Sequence, residues 1–179
     1  MRAFSIRAAT AEDAEELVRM HTAAHEEAYG PLLPPEFFAG RRANIAARIE
    51  QRRDALLSGY VPLLAYDDDD GQLVGIAHAG PGRDDDAPTE LELQMIYALE
   101  RVHGHGVGQA LLDAAVGTAP AFLWVLAENP RAQAFYAKNG FVPDGAHKLL
   151  PDSWCNLPEI RMVRRHQAGQ GQRTSGVRR

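Results

Sequence analysis

His103-Gly104-His105-Gly106-Val107-Gly108-Gln109-Ala110-Leu111-Leu112 is the stretch whose reading decides this chain. Three glycines stand at every second position, and an apolar helical pattern starts directly behind them. A backbone that approaches a ligand closely needs residues without a Cβ. A helix that begins there offers unpaired N–H groups and the positive end of its dipole to an anion. The combination reads as a phosphate cradle made of main-chain amides; a purely structural glycine turn is the plainer alternative. The spacing fits neither common nucleotide loop. A dinucleotide fingerprint wants Gly-x-Gly-x-x-Gly, and here the third glycine comes one residue early. A P-loop wants Lys and then Ser or Thr, and here Gly108 is followed by Gln109-Ala110. A pyrophosphate held by amides fits better. His103 and His105 have no evident third ligand, so no metal is expected.

Outward from this loop, the chain alternates strand and helix signals. Phe4 to Ala8 reads as a first strand. Thr10 reads as the N-cap of a helix carrying Ala14, Leu17, Val18 and His21 on its apolar stripe, with acids in its first turn. A second helix is expected to start near Pro35 and run to about Leu57. Strands are expected over 62–66 and 73–79, joined by the acidic turn Asp67-Asp68-Asp69-Asp70-Gly71, which reads as solvated. The strand over 90–98 enters the glycine loop. Strict alternation would put Glu90, Glu92, Gln94, Ile96 and Ala98 on one of its faces. Behind the loop helix, 121–126 is a nearly continuous apolar strand that suits burial on both faces. Asn129-Pro130-Arg131 opens another helix, closed by Asn139-Gly140. A strand starting at Phe141, a loop over 148–157 and a strand over 159–164 complete a mixed α/β sheet.

Composition narrows the class. A chain of 179 residues favours one domain, and 45% hydrophobic with 24% charged residues reads as globular. No apolar run approaches the roughly 20 residues of a membrane span, and the first residues carry no apolar signal core. Cys155 is the single cysteine, which excludes an internal disulfide and leads us to expect a cytoplasmic protein. The net charge is −5, yet residues 161–179 carry six arginines and no acid, so residues 1–160 carry −11. An acidic body makes a sequence-independent grip on nucleic acid unexpected. We expect a domain over 1–165 and a disordered basic tail over 166–179.

A second motif adds to the loop. Leu126-Ala127-Glu128-Asn129 leads to Ala132, Phe135-Tyr136 and Gly140-Phe141. Together with His103 to Gly108, this resembles the GNAT superfamily of N-acetyltransferases, which move an acetyl group from acetyl-CoA to an amine. The likeness follows element order over roughly 4–164 and is specific over residues 92–141. It implies one α/β domain with a mixed, mostly antiparallel sheet flanked by helices, whose splayed central strands form the CoA cleft. It implies that the backbone of Ile96, Tyr97 and Ala98 pairs with the pantetheine arm. The amides of Gly104, His105, Gly106, Val107, Gly108 and Gln109 would hold the pyrophosphate, and Asn129 would hydrogen-bond the arm. Tyr136 would lie by the thioester sulfur. His103 departs from the Arg or Gln usual at the loop's first position, which shifts the binding onto the amides and the helix dipole.

The chemistry asks for two proton-handling groups. An alkylamine with a pKa near ~10.4 arrives as an ammonium and must lose a proton. The departing thiolate benefits from a donor, a role that suits Tyr136 with its ordinary pKa of about 10. Glu92, on the strand entering the loop, is the expected base, with a water chain as the alternative. His25, Tyr29, Phe37, Phe38 and Trp154 either line an acceptor pocket or belong to the core. Asp84-Asp85-Asp86 reads as a solvated loop. The expected partner is a small-molecule or peptide amine, with no nucleic acid and no membrane, and a monomer or a homodimer are both open. The rivals are a non-catalytic acyl-CoA sensor, and further off a nucleotide-binding domain.

Overall fold

The computed structural model of the chain describes residues 3–165; the expected tail over 166–179 lies outside the described residues. Five α-helices and seven β-strands follow in the order β1 (Phe4–Ala8), α1 (Ala14–Tyr29), α2 (Pro35–Ala43), α3 (Ile45–Leu57), β2 (Leu63–Asp67), β3 (Leu73–Pro81), β4 (Leu91–Ala98), α4 (Val107–Val116), β5 (Ala121–Leu126), α5 (Pro130–Lys138), β6 (Val142–Leu149) and β7 (Pro158–Arg164), among the described residues. The strands form one seven-stranded sheet in the order β1-β2-β3-β4-β5-β7-β6. Every neighbouring pair is antiparallel except β4 and β5. Those two are parallel and meet at a single position, Glu92 opposite Phe122, before they diverge. The mixed sheet with splayed central strands is the arrangement expected.

Helices cover the two faces unequally. Leu17, Val18 and Ala24 of α1 pack with Leu64 and Ile76 on one face. Val107 and Leu111 of α4 pack with Ala65, Val74 and Ala77 on the other. Alternation sorts Leu64 from Ala65 and Ile76 from Ala77, and a register shift that leaves Val74 as an extra residue between the Ala65–Gly75 and Tyr66–Leu73 pairs sets Val74 on the face of Ala77. Leu112 and Val116 of α4 and Tyr136 of α5 continue the second layer over Leu123, Val125 and Met162. The sheet's β5–β7 half therefore has its helical cover on one side only.

Three sequence expectations change. The long second helix is broken at Asn44, whose backbone (φ −96°, ψ +16°) separates α2 from α3. The acidic turn is not wholly solvated: Asp67 is fully buried and pairs with Arg101 at 3.1 Å, while Asp70 reaches the same guanidinium at 3.2 Å. The third concerns β4. His78 pairs with Met95 while the next residue, Ala79, pairs with Leu93, so Gln94 is an extra residue on β4. Such a bulge inverts the alternation on one side of it. Leu93 and Ile96 both pack on the α4 side, whereas Met95 and Tyr97 pack toward α1. Glu92 thus lies on the α1 face, opposite to Ile96 and Ala98, and not on the face they share.

Candidate active site

The glycine loop is shaped by torsion. Gly104 (φ +79°) and Gly106 (φ +93°) occupy left-handed backbone that a side chain would strain. Gly106 is also the residue before α4, so its conformation sets where the helix begins. The N–H groups of Val107, Gly108 and Gln109 form the first turn of α4, where no intrahelical acceptor exists. The side chain of Gln109 is engaged, donating from Nε2 to Asp113 (2.9 Å) and Asn139 (2.8 Å). His105 is exposed. His103 donates from Nε2 to the carbonyl of Ala98 at 2.9 Å. It ties the loop to the last residue of β4, which is a use its residue type did not announce.

From this loop a cleft of about 990 Å³ runs along the opening between β4 and β5. Its walls include Gly104, Gly106, Val107 and Gly108 at one end, then Ile96, Tyr97 and Ala98 of β4, and Asn129, Ala132 and Tyr136 across from them. Among the expected site residues, only His105 is not part of the wall. Asn129 caps α5 by accepting from the Ala132 N–H at 3.0 Å, and its Nδ2 has no partner among the described residues. Tyr136 is buried between Phe135 and Phe141, and burial pushes its phenol further above the ordinary range. It is held in its protonated form at any physiological pH, and its hydroxyl makes no hydrogen bond among the described residues.

The far end of the cleft is polar. Arg83, Asp84, Glu92, Trp124, Lys148 and Glu159 line it. Glu92 is 1% exposed, and its oxygens accept from Arg83 three times, from Nη2 at 2.6 Å, Nε at 3.0 Å and the backbone N–H at 3.1 Å. Asp84 accepts from Trp124 Nε1 at 2.7 Å, and Asp86 pairs with Arg161 at 3.0 Å, so the acidic loop expected to be solvated is tied to the sheet. Lys148 lies over the Trp124 ring, 4.0 Å from its centre. Glu159 did not stand out in the sequence. Its place becomes visible only when β7 is paired with β5 and β6, which sets Glu159 opposite Leu126 and Lys148.

The aromatic residues proposed for the acceptor side divide. Tyr29 lines the cleft and its hydroxyl shares a 2.8 Å hydrogen bond with that of Tyr97. His25, Phe37 and Trp154 pack on one another with ring centres 4.8–5.3 Å apart along the chain of contacts. Phe38 is buried in the core. His25 is 4% exposed and neither ring nitrogen has a hydrogen-bond partner among the described residues. Burial holds its pKa far below the usual imidazole value, and the same cause brings His21 down to about 3.

Comparison with known proteins agrees with this geometry. The acetyltransferase (GNAT) family matches over residues 14–141. A probable N-acetyltransferase of Mycobacterium tuberculosis is 32% identical over 94 residues, which are 50% of this chain and 53% of that relative. An uncharacterized N-acetyltransferase of the same organism is 32% identical over 145 residues, 74% of this chain and 85% of that relative. The chain therefore spans about half the length of the first and most of the second. Among solved structures, the PaiA N-acetyltransferase of Thermoplasma acidophilum in complex with coenzyme A superimposes with a TM-score of 0.69 over 92% of this chain and 99% of that one, at 19% identity, which speaks for the fold. The open β4–β5 pair, the glycine turn at the head of α4 and these relatives have one common reading: the chain belongs to the acetyltransferase (GNAT) family.

Proposed function

We propose that this chain transfers an acetyl group from acetyl-CoA directly to a primary amine of a small molecule or peptide. The observation that carries the reading is the continuity of one cleft from the glycine turn, past the diverging backbone of Ile96 to Ala98, to the Tyr136 hydroxyl and the polar end. In this reading the amides of residues 104–109 and the dipole of α4 bind the pyrophosphate. The backbone of β4 and the free Nδ2 of Asn129 take the amides of the pantetheine arm. The thioester then lies beside Tyr136.

Transfer needs the amine nitrogen to bond to the thioester carbonyl carbon and the carbon–sulfur bond to break. The ammonium first gives up a proton, directly or through water, and the nitrogen gives up a second after attack. The leaving sulfur takes a proton from Tyr136, which is restored from the nitrogen side through water. Glu92, the carboxylate expected from its place in the chain, has its oxygens occupied by Arg83. It acts here by holding Arg83 and the β3–β4 loop against the polar end of the cleft. A cytoplasmic setting, expected from the lone Cys155, fits this reading.

The test is CoA release with acetyl-CoA over a panel of amines, with a protein-only blank because Cys155 is exposed. Amine-dependent release is the expected result. Binding of ATP or NAD in preference to CoA would overturn the assignment.

A further inference from the structure

The polar end of the cleft holds two carboxylates on one sheet face, one buried and one partly buried, in opposite circumstances. Glu92 is saturated by its three bonds from Arg83. Glu159 has a side chain 13% exposed, and its nearest cation is Lys148 Nζ at 3.9 Å, beyond hydrogen-bond range. No described residue donates a hydrogen bond to the Glu159 carboxylate. Its lone pairs are therefore free toward the cleft, whose wall it shares with Tyr29, Trp124 and Tyr136. The groups around it come from four elements, Lys148 of β6, Arg83 and Asp84 of the β3–β4 loop, Glu92 and Tyr97 of β4, and Tyr29 of α1, while β7 carries Glu159 itself.

Resting on the acetyl-transfer reading, we propose that Glu159 is the catalytic base, which takes the proton of the acceptor ammonium at the polar end of the cleft. The carboxylate removes one proton from nitrogen, the freed lone pair attacks the thioester carbon, and the proton passes from Glu159 to solvent before the next turnover. Burial raises the Glu159 carboxyl above its usual range, and Lys148 and Arg83 oppose that rise. A base raised toward neutrality is better matched to an ammonium than an ordinary carboxylate. The same carboxylate favours a cationic acceptor over a neutral one of equal size.

Two measurements test this. With tyramine as the alkylamine probe at saturating acetyl-CoA, Glu159→Gln should lower kcat by about 100-fold or more. It should leave the KM for acetyl-CoA within about two-fold and remove the acidic limb of the pH profile. Hydroxylamine, uncharged at pH 7.5, should recover most of the loss, because it needs no base to free its lone pair. Lys148→Met should move the acidic limb to higher pH, since the ammonium that lowers the Glu159 pKa is gone. The second measurement needs no acceptor: a carbon-13 titration of the Glu159 carboxyl in the acetyl-CoA complex, assigned by its loss in Glu159→Gln, should lie above the usual carboxylate range. An unchanged acidic limb in Glu159→Gln, equal defects with tyramine and hydroxylamine, or an ordinary titration would each overturn the proposal. Failure of the broader reading looks different: wild-type protein that binds CoA yet releases none with any amine, which overturns transfer and base together.

Discussion

Tyr136 and Gly106 carry the sharpest expectations at the residue scale. Tyr136→Phe keeps the ring that packs between Phe135 and Phe141 and removes only the hydroxyl. It should slow acetyl transfer by about 100-fold while leaving CoA affinity within two-fold, measured by CoA release and by calorimetry. A non-catalytic acyl-CoA sensor would show no turnover for the substitution to reduce. Gly106→Val forces a β-branched residue into φ +93° at the head of α4. Strain of about 1–3 kcal/mol at such a position is enough to displace the amides. CoA affinity should fall by about ten-fold or more, and an unchanged affinity would remove the loop from the binding site. The glycine turn at the head of α4 was legible in the sequence because its cause is local: alternate glycines followed by a helical pattern. Glu159 was not legible, because its surroundings are assembled from distant strands and loops. Glu92 was legible as a carboxylate on the strand entering the loop, but its face was not, since one extra residue at Gln94 inverts it.

At the element scale, α1 holds an acid-sensitive pair. His21 and His25 sit one turn apart with ring centres 4.1 Å apart, and Arg41 and Arg48 add their positive charge to burial in holding both imidazoles neutral. The unfolded chain has ordinary histidines, so it binds more protons than the folded one below about pH 6.5. The stability these residues hold is therefore present above about 6.5 and lost as pH falls toward the His21 value of about 3. His25→Phe keeps a ring against Tyr29, Tyr97 and Trp154 without the titrating group. Between pH 7.5 and 4.5 its Tm should fall by about 5 °C less than that of the wild type, followed by calorimetry. Equal falls would show that other groups govern acid unfolding. Strand and helix types were legible from periodicity, because alternation and the 3.6-residue repeat are written residue by residue. The break at Asn44 was not: the residues on either side of it carry good helical patterns, and nothing in them marks the turn between α2 and α3.

For the whole molecule, ligand and fold are linked. The two halves of the sheet are paired strand to strand at Glu92 and Phe122 alone, and α4 packs on β2, β3 and β4 before the chain crosses to β5. A ligand that binds along this divide binds the folded state only. Acetyl-CoA at about 100 times its Kd should add about 2.7 kcal/mol. In a chain of this size that corresponds to a Tm increase of about 5–10 °C, readable by thermal shift. ATP or NAD at matched concentration should leave Tm within about 1 °C. No helix among the described residues is long and apolar enough to cross a membrane.

The divergence of β4 from β5 has one more consequence. Sheets usually end only at their outer strands, and proteins guard those ends because a bare edge recruits stray extended chain. Here the sheet carries two further edges in its middle, with the backbone of Ile96 to Ala98 on one lip and that of Val125 and Leu126 on the other. In the reading proposed above, a donor whose arm is itself a chain of amides would serve as the missing strand. The sheet is thus interrupted at its centre, and binding of acetyl-CoA there should slow amide hydrogen exchange on both lips at once, a signature that a ligand merely resting on the surface would not leave.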